Sequence, residues 1–360
     1  MNSGRLLGVV CGVTAILATA CTGTSAPQAD SSRQPTTSNR SNAASPKPVS
    51  QHQSPVITLA FAGDVNFENR TARLLHDPAT AVGPISSVLK SADLTVLNLE
   101  TSVTSRGTPQ PKTYHFRTTP TAFVALRDGG VGLVTMANNH VLDYGQVGLA
   151  DTIAAARAAR FPYVGIGSNA ASAWAPYVTT IKGTTIAIIG VSQVTELASS
   201  WVATSTRPGE ANAINVQRTL AAVRAAKRIA KVVIVFMHWG TEGEACPDPA
   251  QLSLAPRLAA AGATIIIGAH AHMLQGSGWL GHTFVAYGMG NFVWWERSYS
   301  TATGVLELTL HPTGPLTARF IPATVSGTGQ PIADHGVRAR RAAAHYRALR
   351  SCTELASRPS

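Results

Sequence analysis

Apolar residues in this chain are gathered into short runs. Seven stand out: VITLAFAG (56–63), LTVLNLE (94–100), VGLVTMANNH (131–140), TIAIIGVS (185–192), KVVIVFMHWG (231–240), TIIIGAH (264–270) and TFVAYGMGNF (283–292). They are rich in β-branched residues and nearly continuous, the pattern of strands covered on both faces. Between several of them apolar positions repeat at helical spacing, over 82–92, 146–160, 216–230 and 250–261. Strand–helix alternation predicts an α/β fold with central β-sheet layers flanked by helices. Two further runs, GVLELTL (304–310) and LTARFIPA (316–323), follow one another with no helix between them. The C-terminal portion is therefore expected to be antiparallel.

The ends of the chain read differently. Residues 1–21, MNSGRLLGVVCGVTAILATAC, carry a positive charge at Arg5, an apolar run and then small residues, the plan of a secretory signal. Its end, Ala18-Thr19-Ala20-Cys21, resembles a bacterial lipobox, in which the cysteine becomes the lipidated first residue; Ala18 stands where a larger aliphatic residue is usual. The run is short for a spanning helix, which needs about 20 residues. Residues 22–54 are rich in Ser, Thr, Pro, Asn and Gln, and predict a flexible tether. A folded domain is expected over 55–325, followed by a basic segment, 326–360. Within that segment GVRARRAAAHYRALR (336–350) predicts a helix bearing five arginines. It reads either as a solvated face or as a patch for a polyanion or anionic lipid. Together these features predict a domain on the extracytoplasmic face of a cell membrane, held by a lipid at Cys21; an ordinary cleaved signal or a short membrane anchor is the alternative.

Composition adds information about partners. The 360 residues are 45% hydrophobic and 13% charged, enough to bury a large core, and the net charge is +11 with a pI near 10. Such a balance suits an acidic polymer or an anionic surface. There is no zinc-finger spacing and no aromatic-rich basic patch, so nucleic acid is not an expected partner. Of four cysteines, Cys11 and Cys21 fall in the signal. Cys246 and Cys352 remain, either bridged or as two free thiols; a bridge would close a loop worth up to about 4.7 kcal/mol.

The chemistry sits where the apolar runs end. Asp64 closes the first, Glu100 the second, Asn138, Asn139 and His140 the third, His238 a later one, and His270 and His272 the next. In open α/β sheets ligands gather at the carboxyl ends of strands. Carboxylate, amide and imidazole donors with no thiolate suit Zn, Mn, Fe or similar divalent ions. Histidines two apart on an extended segment face opposite ways. At a strand end, where the chain turns, both can reach a site holding two ions about 3.5–4 Å apart.

These residues carry a resemblance. FAGDVNFENR (61–70), LTVLNLETSV (94–103), YHFRTTP (114–120), TMANNHVLDYG (135–145), FMHWGTE (236–242), GATIIIGAHAHMLQG (262–276) and AYGMGNF (286–292) occur in order. Over about 56–295 the chain resembles the CapA-type polyglutamate capsule synthesis proteins, of the calcineurin-like metallophosphoesterase superfamily. The resemblance implies one or two divalent metal ions. Asp64 and His272 would serve the first, Asn139, His238 and His270 the second, and Glu100 both. His140 would be the neighbouring acid that protonates a leaving group. Asp143 reads either as the residue that orients His140 or as part of a turn before Tyr144-Gly145. Asn66 stands where the superfamily often has a histidine and is a weaker oxygen ligand. Arg70 and Arg117 are candidates for binding carboxylate or phosphate, since guanidinium pairs bidentately with either, and Asn291 for a turn lining the rim.

Three functions follow from this reading. The first is a membrane-tethered accessory protein in the synthesis, transport or anchoring of a polyglutamate- or polyglutamine-type envelope polymer, working with other polymer-synthesis proteins. The second is an active metal-dependent hydrolase of a phosphoester or a polymer amide. The third is a non-catalytic polymer-binding module.

Overall fold

Strand after strand in this protein divides its apolar side chains between two interiors. In the computed structural model, which describes residues 55–296 and 298–360, the two main sheets contain fourteen strands. In chain order they are β1 (Ile57–Val65), β2 (Leu94–Leu99), β3 (Leu133–Thr135), β4 (Tyr163–Val164), β5 (Tyr177–Ile181), β6 (Thr184–Ser192), β7 (Val232–Trp239), β8 (Ile265–His270), β9 (Ser277–Leu280), β10 (Thr283–Ala286), β11 (Asn291–Val293), β12 (Ala302–Leu310), β13 (Thr317–Val325) and β14 (Pro331–Ala333). The helices that matter here are α1 (Thr121–Asp128), α2 (Gly145–Ala158), α3 (Val216–Ile229), α4 (Pro249–Ala261) and α5 (Gly336–Ala348). The expected signal over 1–21, its Cys21 and the tether over 22–54 lie outside the described residues.

The first sheet runs β14-β13-β12-β1-β2-β3-β4, with β11 also pairing β1; the second runs β9-β10-β8-β7-β6-β5. Parallel pairs form both centres: β1 with β2, β2 with β3, β6 with β7, and β7 with β8. Antiparallel strands extend both sheets, β12, β13 and β14 one and the β9–β10 hairpin the other, while β4 closes the far edge of the first sheet in parallel with β3.

Leu59 and Phe61 of β1, Ile186 and Ile188 of β6, Ile234 and Phe236 of β7, and Ile265 and Ile267 of β8 share one buried cluster between the sheets. Their neighbours point the other way. Ala60 and Ala62 meet Phe123 and Leu126 of α1 and Leu149 of α2. Val233, Val235 and Ile266 meet Val223 of α3 and Leu258 of α4. The result is a helix–sheet–sheet–helix stack, and it explains why the central strands are apolar at every position. Each such side chain contributes about 1.5–3 kcal/mol through burial.

Local chemistry sets the element ends. The predicted helix at 250–261 begins one residue earlier: Asp248 caps it in a box with Gln251, Pro249 opens it, and Gly262 closes it at φ 112°. The run 283–292 is two strands, not one. The chain breaks at Gly288–Gly290, and the carbonyl of Gly290 accepts the Asp64 N–H at 3.0 Å. Backbone approaches so closely there that a Cβ on Gly63 would lie 1.7 Å from the Gly290 oxygen. The run 131–140 is a strand only over β3, because 136–140 leaves the ladder.

The basic stretch after 325 is woven into the domain. β14 pairs with β13, α5 places Tyr346 against Phe320 at 3.9 Å, and Ala356 bridges to Trp279. Cys246 and Cys352 are bonded, with Cα atoms 5.4 Å apart, which decides between the bridge and free thiols.

Candidate metal centre

The carboxyl ends of β1, β2 and β3 in one sheet meet those of β7 and β8 in the other. Asp64 sits near the end of β1, in register with Asn98 of β2 and Asn291 of β11. Its Oδ1 accepts from Asn98 Nδ2 at 2.8 Å, and its Oδ2 accepts from the backbone N–H of His270 at 3.1 Å. One carboxylate thus ties the two sheets together at the site. His272 Nδ1 lies 3.4 Å from Asp64 Oδ2 and 2.8 Å from Asn291 Oδ1.

The histidine pair solves its geometric problem by backbone conformation. His270 has φ 87° and His272 φ 54°, both in the left-handed region that side-chain-bearing residues seldom occupy. The turn defeats the alternation of an extended strand, and the two rings come to 6.0 Å. Such conformations cost on the order of 1–3 kcal/mol each and cluster at functional sites.

Glu100 is fully buried, and neither carboxylate oxygen has a hydrogen-bond partner among the described residues. Nε2 of His238 is 3.6 Å from its Oε1, and Nε2 of His140 3.8 Å. Burial first, then the charges of Asp64 and Glu242, push its pKa well above the usual carboxylate range. His238 and His270 are held well below the ordinary imidazole value by burial, and then by neighbouring histidines. Neutral imidazoles around crowded buried carboxylates are the state a cation needs.

Donor atoms group accordingly. Asp64, Glu100 and His272 offer atoms within 4.8 Å of one another, as do Glu100, His238 and His270. Glu100 belongs to both sets. A third set, Glu242 with His270 and His272, opens toward solvent. Asn139 Oδ1 is 2.8 Å from His238 Nε2. Asn66 is fully buried, and both polar atoms of its side chain lack partners. The His270 Nδ1 and Asn291 Nδ2 atoms are likewise buried without partners. Buried polar atoms are normally satisfied. Of these, Asn66 Oδ1, the Glu100 carboxylate and His270 Nδ1 are hard oxygen and imidazole donors, and they fit one or two divalent ions.

Beside this group, Asp143 fixes His140. His140 Nδ1 donates to Asp143 Oδ2 at 2.6 Å, and the ring stacks on Phe116 with centroids 3.9 Å apart. Nε2 is left facing Glu100. Burial lowers the His140 pKa, an effect that Asp143 opposes.

Several contributors, Asn138 apart, escaped the sequence reading. Lys112 is almost wholly buried; its ammonium donates to the Asn139 carbonyl and lies 3.1 Å from both Asp143 Oδ1 and Glu196 Oε2. Asn138 Nδ2 donates to Asn98 Oδ1 at 3.0 Å, while its Oδ1 accepts the His140 N–H. Trp294 and Tyr299 pack on His272 with centroids 4.5 and 5.9 Å away, and Tyr299 Oη donates to Glu242 at 2.9 Å. Asn98 had a signal, a lone amide in the apolar run LTVLNLE; Lys112, in a loop without periodicity, had none.

Three expected rim residues sit differently. Arg70 turns its guanidinium to the backbone carbonyls of Trp294, Glu296 and Gly327, at 3.1–3.4 Å, and so braces the loop after β11. Arg117 is exposed and stacks on Tyr144, 3.8 Å from guanidinium carbon to ring centroid. Asn291 belongs to a strand, not a turn, because β11 pairs in parallel with β1.

Two sheets deliver carboxylate, amide and imidazole donors to one rim, with a His–Asp pair beside them, an arrangement suited to divalent metal ions. The chain belongs to the family described as Bacterial capsule synthesis protein PGA_cap, whose profile matches residues 58–295. It is similar to the capsule biosynthesis protein CapA of Bacillus anthracis, 27% identical over 79% of this chain and 72% of the relative. It is also similar to the PGA biosynthesis protein CapA of Bacillus subtilis, 27% identical over 74% and 71%. Among solved structures, a phosphatase from Mycoplasma pneumoniae overlaps 80% of this chain and 97% of its own, with 16% identity and a TM-score of 0.47.

Proposed function

We propose that this protein is a membrane-tethered, extracytoplasmic accessory protein in the synthesis, transport or anchoring of a polyglutamate-type envelope polymer, and that it acts through a divalent metal centre. The observation that carries this reading is the pair of donor sets sharing the buried Glu100 inside a capsule-synthesis domain. Support for the tether comes from the signal-like segment ending at Cys21.

When bound, divalent ions at such a centre supply Lewis acidity toward a phosphoryl or acyl oxygen. The chain's own residues set what surrounds them. Asp64, Asn66, Glu100, Asn139, His238, His270 and His272 would hold the ions. Asn98 and Asn138 keep Asp64 and the His140 backbone in place. Trp294, Tyr299 and Phe116 exclude water from one side.

A hydrolytic role is favoured by one observation in particular. His140 and Asp143 are buried, paired at 2.6 Å, and needed by neither donor set. Asp143 holds the proton on Nδ1, so Nε2 is the position at which a proton is taken up or delivered beside Glu100.

The test is complementation of a deletion strain, measuring envelope polymer, alongside hydrolysis of a generic phosphoester by purified protein. Wild type is expected to restore polymer and Asp64→Asn to fail. His140→Ala is expected to keep its metal and lose about 10²–10⁴-fold in hydrolysis. Full complementation by Asp64→Asn would overturn the metal-centred reading. Complementation by His140→Ala would leave an accessory role without hydrolysis.

A further inference from the structure

A groove that shares no residue with the metal centre lies where α5 and the segment after it cross the β9–β10 hairpin and β13. Its volume is about 530 Å³, and four arginines line it: Arg319, Arg347, Arg350 and Arg358. No acidic residue does. Arg319 is engaged by Glu307 from outside the groove, at 3.2 Å to each carboxylate oxygen. Among the described residues the other three have no ion-pair partner.

Beneath the arginines the floor is aromatic and recessed. Phe320 stacks on Tyr346 at 3.9 Å, and Tyr346 and Trp279 are only 2% and 9% exposed. The wall is also anchored. The disulfide from Cys352 to Cys246 and the Trp279–Ala356 bridge hold the segment that presents Arg350 and Arg358. A preorganised row of guanidinium groups loses less entropy on binding than one on a free tail.

We propose that this groove binds an extended polycarboxylate chain, and that it is a second, metal-independent contact for the acidic polymer. Guanidinium pairs bidentately with carboxylate, and an acid-free groove lined by four arginines matches a chain bearing many carboxylates. A flat lipid surface would instead call for apolar groups standing out from the arginine layer, and here the aromatics lie below it. The inference rests on the polymer reading of the preceding subsection, but it concerns a separate site. It would let one protein hold a polymer while a different stretch of it occupies the metal centre.

The experiment uses the full chain and a fluorescently labelled synthetic polyglutamate at low ionic strength, read by anisotropy. Four proteins are compared: wild type, Arg347→Gln/Arg350→Gln/Arg358→Gln, the charge-matched control Arg224→Gln/Arg228→Gln/Arg340→Gln, and the metal-site variant Asp64→Asn. Matching urea midpoints would establish that all are folded. The groove variant is expected to bind about tenfold more weakly, the sum of three exposed ionic contacts, and to show the same loss with chelator present, while the control binds as wild type. If the groove variant binds as wild type and Asp64→Asn does not, the polymer enters only at the metal centre; the groove is then overturned and the polymer reading survives. If wild type does not bind polyglutamate at all, both fail. Loss of binding to phosphatidylglycerol vesicles, with polyglutamate binding unchanged, would assign the arginines to a membrane and also overturn the proposal.

Discussion

Lys112 offers the sharpest test of how the site is held together. Its side chain is 2% exposed, and its ammonium reaches three partners in two loops: the Asn139 carbonyl, Asp143 Oδ1 at 3.1 Å and Glu196 Oε2 at 3.1 Å. The substitution Lys112→Met keeps a flexible stem of similar bulk and deletes the charge and all three donors. Asp143 is fully buried and would be left without its cation. Breaking a buried pair by removing one partner costs about 3–5 kcal/mol. The Glu196 side chain is 46% exposed, and its contact adds at most about 1 kcal/mol. The loss of the Asn139 contact overlaps with the first, so the expected total stays near 3–5 kcal/mol, a large share of a typical folding stability. The assay is urea unfolding in the presence of chelator, so that metal does not mask the change. Asp143→Asn in the Lys112→Met background removes the stranded charge, and the double variant is expected to be less destabilised than the sum of the singles. A loss under about 1 kcal/mol for Lys112→Met, or strict additivity, would refute the reasoning.

Two other perturbations follow from the structure. Replacing both Cys246 and Cys352 by Ser opens a loop spanning 106 residues and is expected to lower stability by up to about 4.7 kcal/mol; unchanged urea midpoints without reductant would contradict this. Glu210 is buried, accepts from Asn212 at 2.7 Å, and is pushed by burial to a pKa of about 8. A raised folded pKa means that its contribution is complete below the unfolded value of 4.5 and is lost as pH rises toward 8. Relative to Glu210→Gln, wild type should therefore lose stability between pH 5 and pH 8, by at most about 1.4 kcal/mol per pH unit. A flat difference between the two unfolding curves would show that Glu210 is ionised in the folded protein.

Much of the donor set was visible in the sequence because of where strands end. Asp64, Glu100, His238 and His270 each terminate an apolar run, and parallel strands deliver their carboxyl ends to the same rim. Spacing alone could not show that His270 and His272 share a site; that needs left-handed backbone at both histidines, on either side of Ala271. Lys112 and the aromatic wall come from loops whose positions depend on tertiary packing, and no period marks them. The carbonyl contacts of Arg70 were not legible either, because the loop it braces lies more than two hundred residues away in the chain. The helix at 82–92 shrank to Ser86–Lys90 because flanking turns take its first residues.

The central claim is that buried donors from both sheets grip divalent ions through the shared carboxylate of Glu100. Its most direct test is metal stoichiometry by mass spectrometry on protein purified with Mn, Zn or Fe present, comparing wild type with Glu100→Gln and with His238→Ala. Wild type is expected to carry one or two equivalents; Glu100→Gln, which weakens both donor sets, should lose nearly all of it, and His238→Ala should lose only the share held with His270. Wild type without metal, or Glu100→Gln with as much as wild type, would contradict the account.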